Sequence, residues 1–241
     1  MKKLLCFTLC LALAASVVAQ DEKIFVNDKN AQPRSLTESY HAISVSGSVD
    51  LYLSQSDEEV VVVSASDVKY RDRIITEVKN GELKIYYNDN GLHWASGDKK
   101  LKAYVSFKAI HKLTAAGASD VFVNGVMKTD ALKIYISGSS DFKGAVNVSE
   151  LVLDQSGSSD ARISGRAQHV KISVSGASDV KGYDLVTDYC EASASGASDI
   201  QITVTKELTA NASGASDIYY KGDGLTRNIK SSGASSVARR D

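Results

Sequence analysis

Apolar and polar residues alternate with a period of two along most of this chain, and from His111 onward a recurring tetrapeptide sets the phase. Gly-Ala-Ser-Asp, or a near copy, occupies residues 117–120, 138–141, 157–160, 176–179, 196–199 and 214–217, and residues 233–236 carry serine in place of the aspartate. Successive glycines are 21, 19, 19, 20, 18 and 19 residues apart. The positions six, four and two before each glycine read Leu132, Ile134, Ile136; Leu151, Leu153, Gln155; Val170, Ile172, Val174; Cys190, Ala192, Ala194; and Leu208, Ala210, Ala212. Between them stand mainly Lys, Ser, Thr, Tyr and Glu, the pattern of a strand with one face inward and one outward. Four places after the glycine the apolar face resumes, at Val121, Phe142, Ala161, Val180, Ile200, Ile218 and Val237. A fixed period of this length marks a solenoid, in which a single repeat cannot bury its apolar face alone. The expected fold is all-β, a parallel β-helix of about 19 residues per coil, taken as right-handed. Each coil has a strand, a tight corner, a second strand and a variable return. At roughly 4.8 Å per coil, seven coils make a column of about 34 Å.

Upstream the rhythm is less regular. His41, Ile43 and Val45 alternate with smaller residues, and Gly47-Ser48-Val49-Asp50 is an imperfect early copy of the corner. Val60 to Val63 is an unbroken apolar run, which predicts a strand buried on both faces. Ile74–Lys79 and Glu82–Tyr87 flank Asn80-Gly81, and that dipeptide favours a type I′ hairpin because both residues tolerate positive φ. Residues 88–100 are polar and read as a loop holding the one tryptophan, Trp94; strand character returns over residues 101–107. The resulting organisation is a signal peptide over 1–19, a leader over 20–38, an N-terminal β part over 39–110 and regular repeats over 111–238, with 39–241 forming one elongated domain. The last repeat loses its apolar pattern (Arg227, Ile229, Ser231) before Arg239-Arg240-Asp241. Charge there would protect an open sheet edge.

The start of the chain reads as an address rather than as fold. Lys2 and Lys3 precede an apolar run from Leu4 to Val18, and Val17-Val18-Ala19 suits signal peptidase. Export to the periplasm, the cell surface or the medium is expected, with no membrane insertion after cleavage. Without the two leader lysines, 26 basic residues face 29 acidic ones. That balance, with no basic cluster, argues against nucleic acid and anionic membranes. Of three cysteines only Cys190 lies beyond the leader, so neither a disulfide framework nor a thiolate metal site is expected.

The repeated glycine is read as a structural corner, needed for a backbone that side chains disfavour. The stacked aspartates Asp120, Asp141, Asp160, Asp179, Asp199 and Asp217 raise a sharper question. Like charges about 4.8 Å apart repel by roughly 0.9 kcal/mol per pair in water. One answer is hydrogen bonding of each carboxylate within its own corner, as in an Asx-turn. The alternative is a row of calcium ions, the one cofactor the sequence raises. Catalysis is not expected, because every coil offers the same aspartate and no coil is singled out by a second functional group. A lyase- or hydrolase-like activity on polysaccharide stands as the other alternative. His41 and His111 fall on the inward column, His169 is expected to face solvent, and Cys190 is expected to be a buried, inert thiol. The best contact candidates are Tyr86, Tyr87, His93, Trp94 and Tyr104, aromatics able to stack on sugar rings or anchor a protein interface.

The Ser-Gly corners at Ser137-Gly138, Ser156-Gly157, Ser175-Gly176, Ser195-Gly196, Ser213-Gly214 and Ser232-Gly233 resemble those of the bacterial auto-transporter adhesin head GIN domain family, common in Bacteroidetes. The likeness covers roughly Tyr40 to Val237, and the first corner departs from it with Ala116 before Gly117. It implies a β-helix similar to pectate-lyase-type solenoids without their catalytic residues, and a role in adhesion. Kinship with trimeric autotransporters implies a homo-oligomer, a trimer. The expected partner is a glycan or protein of a host or cell surface, bound by a non-catalytic module.

Overall fold

The computed structural model describes residues 28–89 and 98–241. The expected signal peptide (1–19), the first part of the leader (20–27), His93 and Trp94 lie outside the described residues. In chain order the strands are β1 (Gln32–Arg34), β2 (Ala42–Ser46), β3 (Asp50–Gln55) and β4 (Val60–Ser64), followed by the short helix α1 (Val68–Arg71). Then come β5 (Ile74–Lys79), β6 (Glu82–Tyr87), β7 (Lys102–Phe107) and β8 (Lys112–Ala115). The long strands are β9 (Val121–Ile136), β10 (Phe142–Gln155), β11 (Asp160–Val174), β12 (Asp179–Gly196) and β13 (Asp199–Gly214); β14 (Asp217–Lys221), β15 (Leu225–Gly233) and β16 (Ser236–Arg239) close the series. They form a β-solenoid of about 7 turns with about 19 residues per turn.

From β9 to β16 all pairing between coils is parallel. The returns are strand too: β10 runs without a break from one corner to the next. Strand pairing along the returns satisfies their backbone wherever the ladder is continuous. Where two coils are equally long the register is constant, as in β10 with β11 from Phe142↔Ala161 to Gln155↔Val174. Unequal coils shift register after the corner, between Lys143 and Ala145 for β10 with β9 and between Arg162 and Gly165 for β11 with β12. Bulges therefore absorb the variation in repeat length while the corners stay aligned.

The predicted inward columns form the core: Leu132, Ile134, Leu151, Leu153, Val170, Ile172, Cys190, Ala192, Leu208 and Ala210 are all buried. Phe107 and Phe142 are the large buried side chains of the earlier coils, whereas the C-terminal coils bury paired alanines (Ala192 with Ala194, Ala210 with Ala212). On the last coil β15 is exposed throughout, with Leu225 at 65% and Ile229 at 42% exposure.

The N-terminal end is built differently. β2 lies between β6 and β8, and β3 between β7 and β9, all in parallel. The coil containing β6 and β7 thus stacks ahead of the earlier residues of β2 and β3. Antiparallel β5 on β6 and β4 on β7 cover that coil, and β1 extends the layer on β4. Asn80 and Gly81 turn with φ of 54° and 72°, the two positive values a type I′ hairpin requires. The run Val60–Val63 departs from the expectation of burial on both faces. Val61 and Val63 are inside but Val60 is 42% exposed, because β4, paired between β1 and β7, turns alternate residues inward and outward. His41 and His111 also depart from it: they are exposed and stack on each other at 4.6 Å. β2 and β8 begin one residue later, at Ala42 and Lys112, so these imidazoles precede the inward-facing strand.

Candidate functional site

The repeated part of each corner is internal architecture. At Gly157 φ is +90°, and a Cβ there would stand 2.4 Å from the carbonyl oxygen of Gly138; Gly138 and Gly176 meet the preceding glycine at the same distance. The corner backbones stack so closely that only hydrogen fits. The next polar column is buried: Ser119, Ser140, Ser159, Ser178, Ser198 and Ser216 are at most 1% exposed. In the earlier coils these hydroxyls take backbone N–H donors from the coil before, Ser119 N donating to Ser140 Oγ at 3.0 Å and Ser159 N to Ser178 Oγ at 3.2 Å, whereas Ser216 Oγ accepts from Ser213 N of its own coil at 3.2 Å. In the pattern this serine was one more small corner residue; its burial was legible from its place two before an inward apolar position.

The aspartates do not bond within their own corners. Asp120 Oδ1 accepts from Asp141 N at 3.0 Å, Asp141 from Asp160 N at 2.9 Å, Asp179 from Asp199 N and Asp199 from Asp217 N, both at 3.2 Å, and Asp217 from Ser236 N at 2.9 Å. Each carboxylate is tied to the next coil, which offsets the mutual repulsion. Between Asp160 and Asp179 the ladder changes hands: Asp179 N donates to Ser159 O, and Asp160 pairs with Lys181 at 3.2 Å. The buried Gln155 donates to Ser159 O and Asp179 O at this step. Burial, followed by the charges of Asp179 and Asp217, pushes Asp199 above the usual carboxylate range. Hydrogen bonds from Ser236 and then Tyr219 hold Asp217 below it. Among the described residues, no group of three or more His, Cys, Asp or Glu is disposed to hold a metal ion.

The aromatic candidates fall in different places. Tyr86 donates to Glu77 at 3.3 Å on the hairpin, and Lys99 lies over the Tyr87 ring at 4.6 Å. Tyr104 sits on the other side of the corner, stacked on Tyr52 at 5.0 Å, with Phe122 continuing the stack at 5.2 Å. Its hydroxyl donates to Asp28 at 2.7 Å. Burial and then that bond push the Tyr104 phenol up, and the bond is the main cause of the lowered Asp28 pKa. These rings cover one another's faces, so they act as a brace between coils.

The unlike groups that the tetrapeptide lacks gather instead on the outward face of the strands before the corner. The positions seven before glycine are Glu150, His169, Tyr189 and Glu207 on successive coils, and those five before include Lys171, Glu191 and Thr209. Together they line a groove of about 580 Å³. His169 stacks on Tyr189 with centroids 4.9 Å apart and planes 13° from parallel, and its Nδ1 lies 2.9 Å from Glu150 Oε1. On the C-terminal side of the ring, Lys206 Nζ lies 5.4 Å from the centroid of Tyr189. Lys206 pairs with Asp188 at 2.9 Å, and Asp188 also faces Arg166 at 3.6 Å and accepts from Thr205 Oγ1 at 2.9 Å. The Lys206 bond and then the Thr205 bond hold Asp188 below the ordinary carboxylate range. Tyr189 is thus fixed from both sides while remaining 39% exposed. Register shifts between Thr187 and Tyr189 and between Leu208 and Ala210 bend the sheet beside it, as bulges do next to sites. Reading the outward columns as closely as the inward ones would have found this grouping. Beneath it Cys190 is fully enclosed, and burial pushes its thiol up to about 12.

The family model described as "Putative auto-transporter adhesin, head GIN domain" matches residues 39–224. The chain belongs to this family. Crystal structures of similar fold extend the head GIN domain comparison. One, a putative adhesin from Bacteroides fragilis, superposes with a TM-score of 0.80 at 20% identity over 88% of this chain and 98% of that one. A putative adhesin from Parabacteroides merdae gives 0.68 at 17% over 88% and 97%, and a putative lipid binding protein from Parabacteroides distasonis gives 0.63 at 23% over 88% and 98%. No curated protein matches. At these identities the likeness establishes the shared solenoid. No helix among the described residues is long and apolar enough to cross a membrane.

Proposed function

We propose that this head GIN domain chain is an exported, non-catalytic adhesin whose contact surface is the groove around Tyr189. The observation carrying this reading is the contrast within one rod. The corners repeat the same few residues coil after coil, whereas Glu150, His169, Lys171, Tyr189 and Glu191 break the repetition side by side on an exposed face. A stacked sheet holds such groups at fixed spacing, so little ordering entropy is lost on binding. The family, the adhesin neighbours and the apolar leader all support a place outside the cytoplasm.

Fluorescently labelled protein should bind fixed host epithelial or bacterial cells saturably, and Tyr189→Ala combined with Glu191→Gln should weaken that binding at least tenfold. Binding unaffected by the double variant overturns the placement of the surface. A second reading draws on the same groove, because a histidine, a tyrosine and carboxylates on adjacent coils are groups from which polysaccharide-cleaving sites are built. It predicts released reducing ends or unsaturated sugars from a polysaccharide panel, lost in His169→Ala; a panel with no product removes it.

A further inference from the structure

We infer that the Tyr189 groove recognises an uncharged, hydroxyl-rich glycan chain lying along the rod axis; this rests on the adhesin reading and names its ligand class. Hydrogen-bonding character comes first. The groove presents carboxylate acceptors at Glu150, Glu191 and Glu207, with side-chain exposures of 61%, 70% and 39%. Beside them stand donors and mixed groups at Lys171, Tyr189 and Thr209. Coil spacing near 4.8 Å and two-residue spacing along a strand near 7 Å set acceptors and donors on a two-dimensional grid. A pyranose chain presents hydroxyls that both donate and accept at comparable intervals, and a carboxylate can take two neighbouring hydroxyls at once.

Charge narrows the class. Every cation at the groove and its rim already faces a carboxylate: Lys171 faces Glu191 at 3.8 Å, Lys206 and Arg166 face Asp188 at 2.9 and 3.6 Å, and Arg227 faces Glu207 at 3.2 Å. Uronate, sulfate or phosphate groups would have to displace one of these carboxylates to reach a cation, so acidic polysaccharides and anionic headgroups are disfavoured. Topology then separates glycan from peptide. The lining strands β10, β11, β12 and β13 are paired on both sides at the groove, so no backbone edge is free to accept an added peptide strand. Recognition must come from side chains projecting off a sheet face. Tyr189, held between His169 and Lys206 yet 39% exposed, presents its ring edge and hydroxyl as a fixed anchor for sugar hydroxyls.

The test is calorimetric titration of residues 20–241 with neutral gluco-, manno-, xylo- and chito-hexaoses, alongside oligogalacturonate and oligolysine. At least one neutral hexaose should bind, should bind more tightly than oligogalacturonate, and should lose at least tenfold affinity in Tyr189→Ala and in Glu191→Gln/Glu207→Gln. Lys143→Ala, on a separate outward face, should leave it unchanged. Tighter binding of oligogalacturonate or oligolysine, no binding of any neutral hexaose, or indifference to Tyr189→Ala overturns the glycan assignment. Cell binding that depends on Tyr189 but survives glycosidase treatment of the cells would overturn it while leaving the adhesin reading intact. Glycan binding through Tyr189 without adhesion to any cell would do the reverse.

Discussion

Gly157 and Gly117 turn the chain with nearly the same backbone, φ +90° and +83°, yet they stand in different surroundings. A Cβ on Gly157 would meet a carbonyl oxygen of the coil before at 2.4 Å, whereas one on Gly117 would find its nearest atom, Gly47 N, at an ordinary 3.5 Å. The same division runs through the serine column. Ser178 serves its neighbouring coil, but the first corner has the buried Val49 in that place, and Val49 N merely donates into the ladder at Ser119. Regular coils are held by interactions that recur because each neighbour demands them. At the N-terminal end the neighbour is unlike, and the demand lapses.

The largest expected effect tests that contrast directly. Gly157→Ala adds a backbone clash to positive-φ strain and should cost at least ~3 kcal/mol, whereas Gly117→Ala should cost only about 1–2 kcal/mol of strain. Urea unfolding of the two variants measures the difference, and equal losses would show that stacking at Gly157 relaxes. Next, Ser178→Ala leaves the Ser159 N–H without its acceptor and should cost about 1–3 kcal/mol. Val49→Ala, which empties volume but orphans no donor, should show no such polar loss and follow cavity size alone.

Smaller effects lie in the aspartate column. A carboxyl raised by folding disfavours the folded state once ionised, so Asp199→Asn should stabilise the protein at neutral pH. The gain should disappear as pH falls below the ordinary value of 3.8. Asp217 has the opposite sign: its lowered pKa contributes stability above 3.8 that is lost as pH falls, so Asp217→Asn should destabilise at neutral pH and be neutral in acid. Urea midpoints at pH 7 and roughly pH 3 compare the two, and shifts of the same sign would contradict the ladder. Smallest in stability terms is Cys190. Its enclosed thiol should resist a disulfide reagent at pH 8 in the folded protein and react only as fast as the chain unfolds.

The stacked fold was legible because a strand with one face buried repeats its inward residues at every second place, and the glycine gave the phase. Leu132, Ile172 and Cys190 stand where that rule puts them. The N-terminal stacking order was not legible, since nothing in the alternation of β6 or β7 says that these strands precede β2 and β3 in space. The inter-coil aspartate bonds were hidden for a related reason: a period fixes which residues stack, but not which of two neighbours a side chain reaches. The groove escaped notice because outward residues obey no packing rule. Glu150, His169, Tyr189 and Glu207 are strange only when set beside one another, a comparison that an apolar pattern never prompts.

The inverted stacking at the N-terminal end also sets an order in time. β2 and β3 emerge first in synthesis, but their parallel neighbours begin at Glu82, Lys102, Lys112 and Val121. β2 cannot pair until β6 of the hairpin has been made, nor β3 until β7 has, and the long loops they close make these contacts slow. Coils from β10 onward need only one further repeat to complete each neighbour. The growing chain therefore holds β2 and β3 without their parallel neighbours while residues 56–81 are made, and the start of the solenoid closes only as residues 82–124 arrive, just ahead of the regular coils.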